Sequence, residues 1–189
     1  MRKLKLQVQV SIDGFIAGPN HEMHWMKLPW TDDLISYVRE ITQPVDLVLL
    51  GKNLAEGFIP YWSDVAKNPE SADYEGGLKY TSTPKIVFSK SLQHTKWENT
   101  GVVNGDLAQE ITNLKKLNGS DIIAYGGAKF VSSLIKANLI DEYYLMINPT
   151  AIGRGMPIFN EITEHLALEL AECKKFDCGI AVLKYIRKN

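Results

Sequence analysis

The sequence predicts an α/β fold built on a mainly parallel sheet, and three observations predict it. Short apolar runs alternate with segments of helical periodicity along most of the chain. Such alternation implies βαβ units, whose crossovers join parallel strands. The last stretch instead carries two strand-like runs around Asp177-Cys178-Gly179. That is a hairpin, which adds antiparallel strands at one edge.

Leu4, Leu6, Val8, Val10 and Ile12 recur at every second position, so Lys3 to Ile12 is a strand. Asp13-Gly14 and Gly18-Pro19-Asn20 mark the loop that leaves it. Leu34, Tyr37, Val38 and Ile41 share one helix face, which Thr31 or Asp32 can cap and Pro44 ends. Val45 to Leu50 reads as a strand buried on both faces. A short helix through Leu54, Ala55 and Phe58 is expected to stop at Pro60, and Trp62 to Thr83 holds helical pieces at most. Lys85 to Phe88 is another short buried strand, and Gly101 to Val103 a weak one. Leu107, Ile111, Leu114 and Leu117 trace a helix stopped by Asn118-Gly119. Asp121 to Tyr125 is a strand, followed by a helix face of Phe130, Val131, Leu134 and Ile135. Asp141 to Asn148 is one more strand, and Ala167 to Phe176 with Ile180 to Ile186 forms the hairpin. No repeat, low-complexity segment or linker interrupts this order, so residues 1–189 are read as a single domain.

Composition narrows the function. A formal charge of −1 supplies no bulk attraction to nucleic acid or to an anionic membrane. Lys3, Lys5, Lys115, Lys116, Lys174, Lys175, Arg187 and Lys188 are scattered and read as solvated. No membrane span or signal peptide is legible, which makes the cytoplasm the expected location. Cys173 and Cys178 lack the second pair that a zinc site needs, and read as buried free thiols. No metal is expected.

In open α/β sheets ligands bind outside the carboxyl ends of the strands, and four such places carry unusual residues. Tyr125-Gly126-Gly127-Ala128-Lys129 joins a strand to a helix, where glycines let backbone N–H groups approach a phosphate. A plain tight turn would use the same glycines. Gly51-Lys52-Asn53 and Ser89-Lys90 place a cation after two further strands, suited to phosphate or to a ribose 2′-phosphate. Each is also compatible with a solvated loop. Thr31-Asp32-Asp33 opens the first helix after His24-Trp25-Met26-Lys27-Leu28-Pro29. A carboxylate there can deliver a proton if apolar surroundings raise its pKa, or simply complement the helix dipole.

The order of these stretches resembles the dihydrofolate reductase superfamily. Val8-Gln-Val-Ser-Ile-Asp-Gly-Phe-Ile-Ala-Gly18, Leu50-Gly-Lys52, Pro84-Lys-Ile-Val-Phe-Ser89 and Ile123-Ala-Tyr-Gly-Gly-Ala128 carry the resemblance, with Leu139-Ile-Asp-Glu-Tyr143 and Ile152-Gly-Arg-Gly-Met-Pro-Ile-Phe159. Within it, the chain is similar to the branch of the C-terminal reductase domain of the bacterial riboflavin-biosynthesis deaminase/reductase. The resemblance implies an eight-stranded, mainly parallel sheet with flanking helices and a C-terminal antiparallel hairpin. It implies NADPH as cofactor, with Ile16, Ala17 and Gly18 near the nicotinamide. Gly51, Lys52 and Asn53 would meet phosphate, Ser89 and Lys90 the adenosine ribose, and Gly126, Gly127, Ala128 and Lys129 the pyrophosphate. Asp32 or Asp33 would assist protonation, and Trp25 and Leu28 would border the substrate. The implied function is an NADPH-dependent reductase of a nitrogen heterocycle, 5-amino-6-(5-phosphoribosylamino)uracil-like or pterin-like, working as a homodimer. A true dihydrofolate reductase and a non-catalytic nucleotide-binding module are the alternatives. Lys52-Asn53-Leu54 stands where many relatives have Arg and a hydroxyl residue, which leaves NADPH against NADH open.

Overall fold

The computed structural model describes residues 1–188. Its elements follow the sequence pattern in order: β1 (Leu4–Ser11), α1 (Asp32–Thr42), β2 (Val45–Gly51), α2 (Lys52–Val65), α3 (Tyr74–Ser82), β3 (Lys85–Phe88), β4 (Thr100–Val103), α4 (Leu107–Lys116), β5 (Asp121–Tyr125), α5 (Ala128–Lys136), β6 (Glu142–Asn148), β7 (Leu168–Lys175) and β8 (Ala181–Arg187). They form one eight-stranded sheet in the order β4-β3-β2-β5-β1-β6-β8-β7. β1 to β6 pair in parallel, and β8 runs against both of its neighbours. The carboxyl ends of the six parallel strands therefore lie on one side.

Each face has its own apolar core. Leu34, Tyr37, Val38 and Ile41 of α1, with Ala55 and Ile59 of α2, pack on Val48, Leu50, Val87, Ile123, Tyr144 and Met146. On the opposite face Ile111 of α4 and Val131, Leu134 and Ile135 of α5 pack on Leu4, Leu6, Val8, Val10 and Leu49. Burying each such side chain stabilises the fold by about 1.5–3 kcal/mol, before the entropy of ordering is charged against it. No helix is long and apolar enough to cross a membrane, among the described residues.

Several residues depart from the sequence reading. α2 passes through Pro60 and ends at Val65. Pro60 lacks an N–H, yet Ile59 stays buried and Phe58 and Trp62 pack on Tyr80, so side-chain packing on α3 carries the helix past the lost bond. Lys5 and Lys115 are buried rather than solvated, because Asp121 (2.8 Å) and Asp141 (2.5 Å) pair with their ammonium groups. Cys173 is exposed because β7 is an edge strand, whereas Cys178 is buried.

β1 departs most tellingly. Its strict alternation suits a strand with one wet face, yet it sits between β5 and β6 with both faces covered. Lys5, Gln7 and Ser11 are only 5%, 6% and 1% exposed. A polar row is thus buried beneath the face that α1 and α2 cover.

Candidate functional site

The ends of β3, β2 and β5 are adjacent, and two helices start there. Gly51 precedes α2 and Gly127 precedes α5, neither helix has a side-chain cap, and neither has an acid in its first turn. The other helices carry Asp32 and Asp33, Glu75 and Glu110 at that place. The N–H groups of α2 and α5 are left to an external acceptor, with the dipole favouring an anion. Gly127 has φ +92°, which a side chain tolerates poorly. At Gly51 an added β-carbon would lie 2.8 Å from that of Phe130, so glycine lets β2 close on α5.

Cations edge these helix starts. The Lys52 Nζ donates to Ser91 Oγ (3.2 Å), joining α2 to the loop after β3. In that loop Ser89 Oγ accepts from the N–H groups of Ser91 and Leu92, and Lys90 Nζ donates to the carbonyls of Asn104 and Gly105. Ser89, Lys90 and Lys52 are thereby collected at one edge, beside Gly126 to Lys129.

The loop after β1 is held from outside. Ile16 donates to the Met156 carbonyl (3.0 Å) and Met156 to that of Ala17 (2.8 Å). Asp13 accepts from Ser11 Oγ and from the N–H groups of Ile152 and Gly153, and these bonds, the Ser11 hydroxyl first, hold its carboxyl below the usual range. Gly155 is needed because a β-carbon there would lie 2.3 Å from the Ala17 carbonyl oxygen.

Across β1 from the glycine junctions, the start of α1 faces the β7–β8 turn. The Asp33 carboxylate accepts from Thr31 Oγ1 (2.5 Å), from its neighbour Leu34 N–H (2.8 Å) and from Asp177 N–H (3.0 Å). The Thr31 hydroxyl, then the Asp177 N–H, hold it below the usual carboxylate range, so Asp33 is an ionised clamp. Asp32 is exposed and free of such bonds, among the described residues. Trp25 is half-buried with its indole on the Glu22 carbonyl, while Leu28, ahead of a cis Pro29, is 66% exposed. A lowered folded pKa stabilises above the unfolded value and is lost as pH falls through the folded one. Asp33→Asn should therefore melt below the parent at neutral pH, and the gap should close below about pH 3.8. Thermal melts at stepped pH check this, and a gap that persists in acid would contradict it.

Between the two sides lies the polar row of β1, which sequence reasoning missed. Asn148 is fully buried; its Oδ1 accepts from Lys27 N–H (2.7 Å) and its Nδ2 donates to Gln9 Oε1 (3.1 Å) and the Met146 carbonyl (3.2 Å). Gln7 Nε2 lies on Met146 Sδ (3.4 Å), and Gln7 Oε1 is buried without a partner among the described residues. The signal in the sequence was a polar alternation in the strand that the βαβ order puts mid-sheet.

Comparison with known proteins places this architecture. A family model described as the RibD C-terminal domain matches residues 2–182. The chain belongs to the RibD C-terminal domain family. Uncharacterized protein YyaP of Bacillus subtilis (strain 168) is 28% identical over 187 residues, covering 97% of this chain and 94% of YyaP. A putative riboflavin biosynthesis protein from Shewanella sp. PV-4 superposes with a TM-score of 0.75 at 20% identity, covering 99% of both chains. The diaminohydroxyphosphoribosylaminopyrimidine deaminase/5-amino-6-(5-phosphoribosylamino)uracil reductase of Thermotoga maritima gives a TM-score of 0.70 at 17% identity, covering 99% of this chain and 57% of that one. These likenesses are of fold: a RibD-type, dihydrofolate reductase-like sheet whose parallel strands end at the site just described.

Proposed function

We propose that this RibD C-terminal domain protein is an NADPH-dependent reductase of a nitrogen heterocycle, aminopyrimidine-like or pterin-like. The observation that carries the reading is the convergence of two uncapped, acid-free helix starts with Lys52 and Lys90 on neighbouring strand ends. That donor set suits a dinucleotide with an extra phosphate. NADPH, when bound, supplies a hydride to an electrophilic carbon of the substrate. Gly51, Lys52 and Asn53, with Gly126, Gly127, Ala128 and Lys129, hold its phosphates. Ser89 and Lys90 take the adenosine ribose end. Ile16 and Ala17, pinned by Met156, and Gly18, whose N–H donates to the Glu22 carbonyl, form the wall of the nicotinamide pocket. Trp25 and Leu28 border the substrate and help to exclude water. Proton delivery falls to Asp32 or to a water it holds, since Asp33 is engaged at the β7–β8 turn.

Lys90→Ala and Lys52→Ala should each weaken NADPH binding roughly tenfold, as expected for losing one charge-assisted hydrogen bond; Lys52→Ala should weaken NADH alike, and Lys90→Ala should affect NADH less. Fluorescence titration of both nucleotides measures this, and equal losses for the two in Lys90→Ala would oppose a 2′-phosphate contact. Turnover is tested by NADPH oxidation with aminopyrimidine ribose phosphates and dihydropterins offered separately. Oxidation of none of them would speak against the heterocycle class.

A further inference from the structure

We infer that Gln7 and Gln9 are specificity-determining residues: a paired amide on the β1 face beneath α1 and α2 that binds the adjoining N–H and C=O of a cyclic amide in the substrate. The chemical class rests on the reductase reading above; the amide pair is read from the network around β1.

The orientation of Gln9 follows from a donor whose identity is certain. Lys27 offers a backbone N–H, so the Asn148 atom that meets it is the oxygen. The other Asn148 terminus is then the NH2 group, which agrees with its second bond to the Met146 carbonyl. That NH2 meets Gln9, so the Gln9 atom there is its oxygen, and the Gln9 NH2 is presented to the space beyond. Gln7 shows the opposite polarity. Its NH2 lies on the Met146 sulfur, and its oxygen is left buried and unpaired. Natural structures rarely leave a buried acceptor in that state.

Residues two apart on a strand point to the same face roughly 7 Å apart, a span that two glutamine side chains can narrow. The face therefore sets the unpaired Gln7 oxygen beside the Gln9 NH2 group. A lactam or ureide edge presents the complement, as when one glutamine reads the edge of adenine. The place fits as well: β1 lies between the glycine junctions at β5 and the start of α1. The segment that Asn148 pins through Lys27 passes over this end, and the buried Trp30 indole N–H on the same face also lacks a partner. Ligand entry displaces this segment, which brings Trp25 and Trp30 into the read-out.

The test titrates 6-aminouracil and its 1,3-dimethyl derivative, which lacks the ring N–H groups, with and without NADPH, following tryptophan fluorescence. The parent protein should bind 6-aminouracil at least tenfold tighter than the dimethyl compound. Gln7→Leu, which removes the orphaned oxygen and keeps an apolar fill, should abolish that preference while NADPH affinity and the melting temperature hold. Gln9→Glu should weaken 6-aminouracil binding about tenfold. If Gln7→Leu leaves the preference intact, or lowers only the melting temperature, the inference is overturned, and normal NADPH binding leaves the reductase reading standing. If NADPH fails to bind while the preference and its loss in Gln7→Leu persist, the reductase reading fails and the amide pair survives.

Discussion

Gly127→Val is expected to weaken NADPH binding at least tenfold and to lower the melting temperature by about 4–8 °C. Gly127 has φ +92° and ψ +100°, outside the regions open to residues with a β-carbon. Forcing a branched residue there costs on the order of 2 kcal/mol. Space is not the obstacle, since the nearest atom to an added β-carbon is that of Leu54 at 3.8 Å. The backbone would relax instead, and the first N–H groups of α5 would turn from their present aim. Gly126→Ala supplies the contrast. It has no positive φ and its added carbon meets only Leu54 at 3.9 Å. That variant should melt like the parent yet still lose NADPH affinity, because a methyl group then stands on the proposed path of the phosphate. Melting curves and nucleotide titrations on both variants separate strain from access.

Asn148→Ala should be the more destabilising change, by about 3 kcal/mol, or roughly 6–12 °C of melting temperature. The side chain is fully buried and serves Lys27, Gln9 and the Met146 carbonyl together. Its removal leaves the part-buried Lys27 N–H and Gln9 Oε1 without this partner and a cavity behind. The Lys27 attachment is also lost, so protease cleavage should increase within residues 19–30. A double-mutant cycle with Gln9→Ala should be non-additive, because the two share one hydrogen bond. Additive losses, or unchanged protease sensitivity, would mean that Asn148 is not the clasp.

The fold was legible because strand and helix periods alternate cleanly and Gly or Pro punctuates nearly every junction. Pro60 misled because an isolated helix would break there, and only the aromatic packing of Phe58 and Trp62 on Tyr80 shows why this one does not. Lys5 and Lys115 misled in the same way: their partners Asp121 and Asp141 are distant in sequence, and a buried ion pair leaves no local mark. At the site, the glycine junctions and lysines were readable because they follow strands directly. Asp32 and Asp33 looked equivalent in sequence. The partner that distinguishes them, the Asp177 N–H, arrives from the far end of the chain. Gln7 and Gln9 were hidden by their own regularity. Alternation in β1 looked like one dry and one wet face until the strand order put it mid-sheet.

If the glycine junctions and their lysines hold NADPH, calorimetric titration of the purified chain with NADPH and NADH will show saturable binding of NADPH, about tenfold or more tighter than of NADH. Saturable binding of neither nucleotide would contradict this assignment.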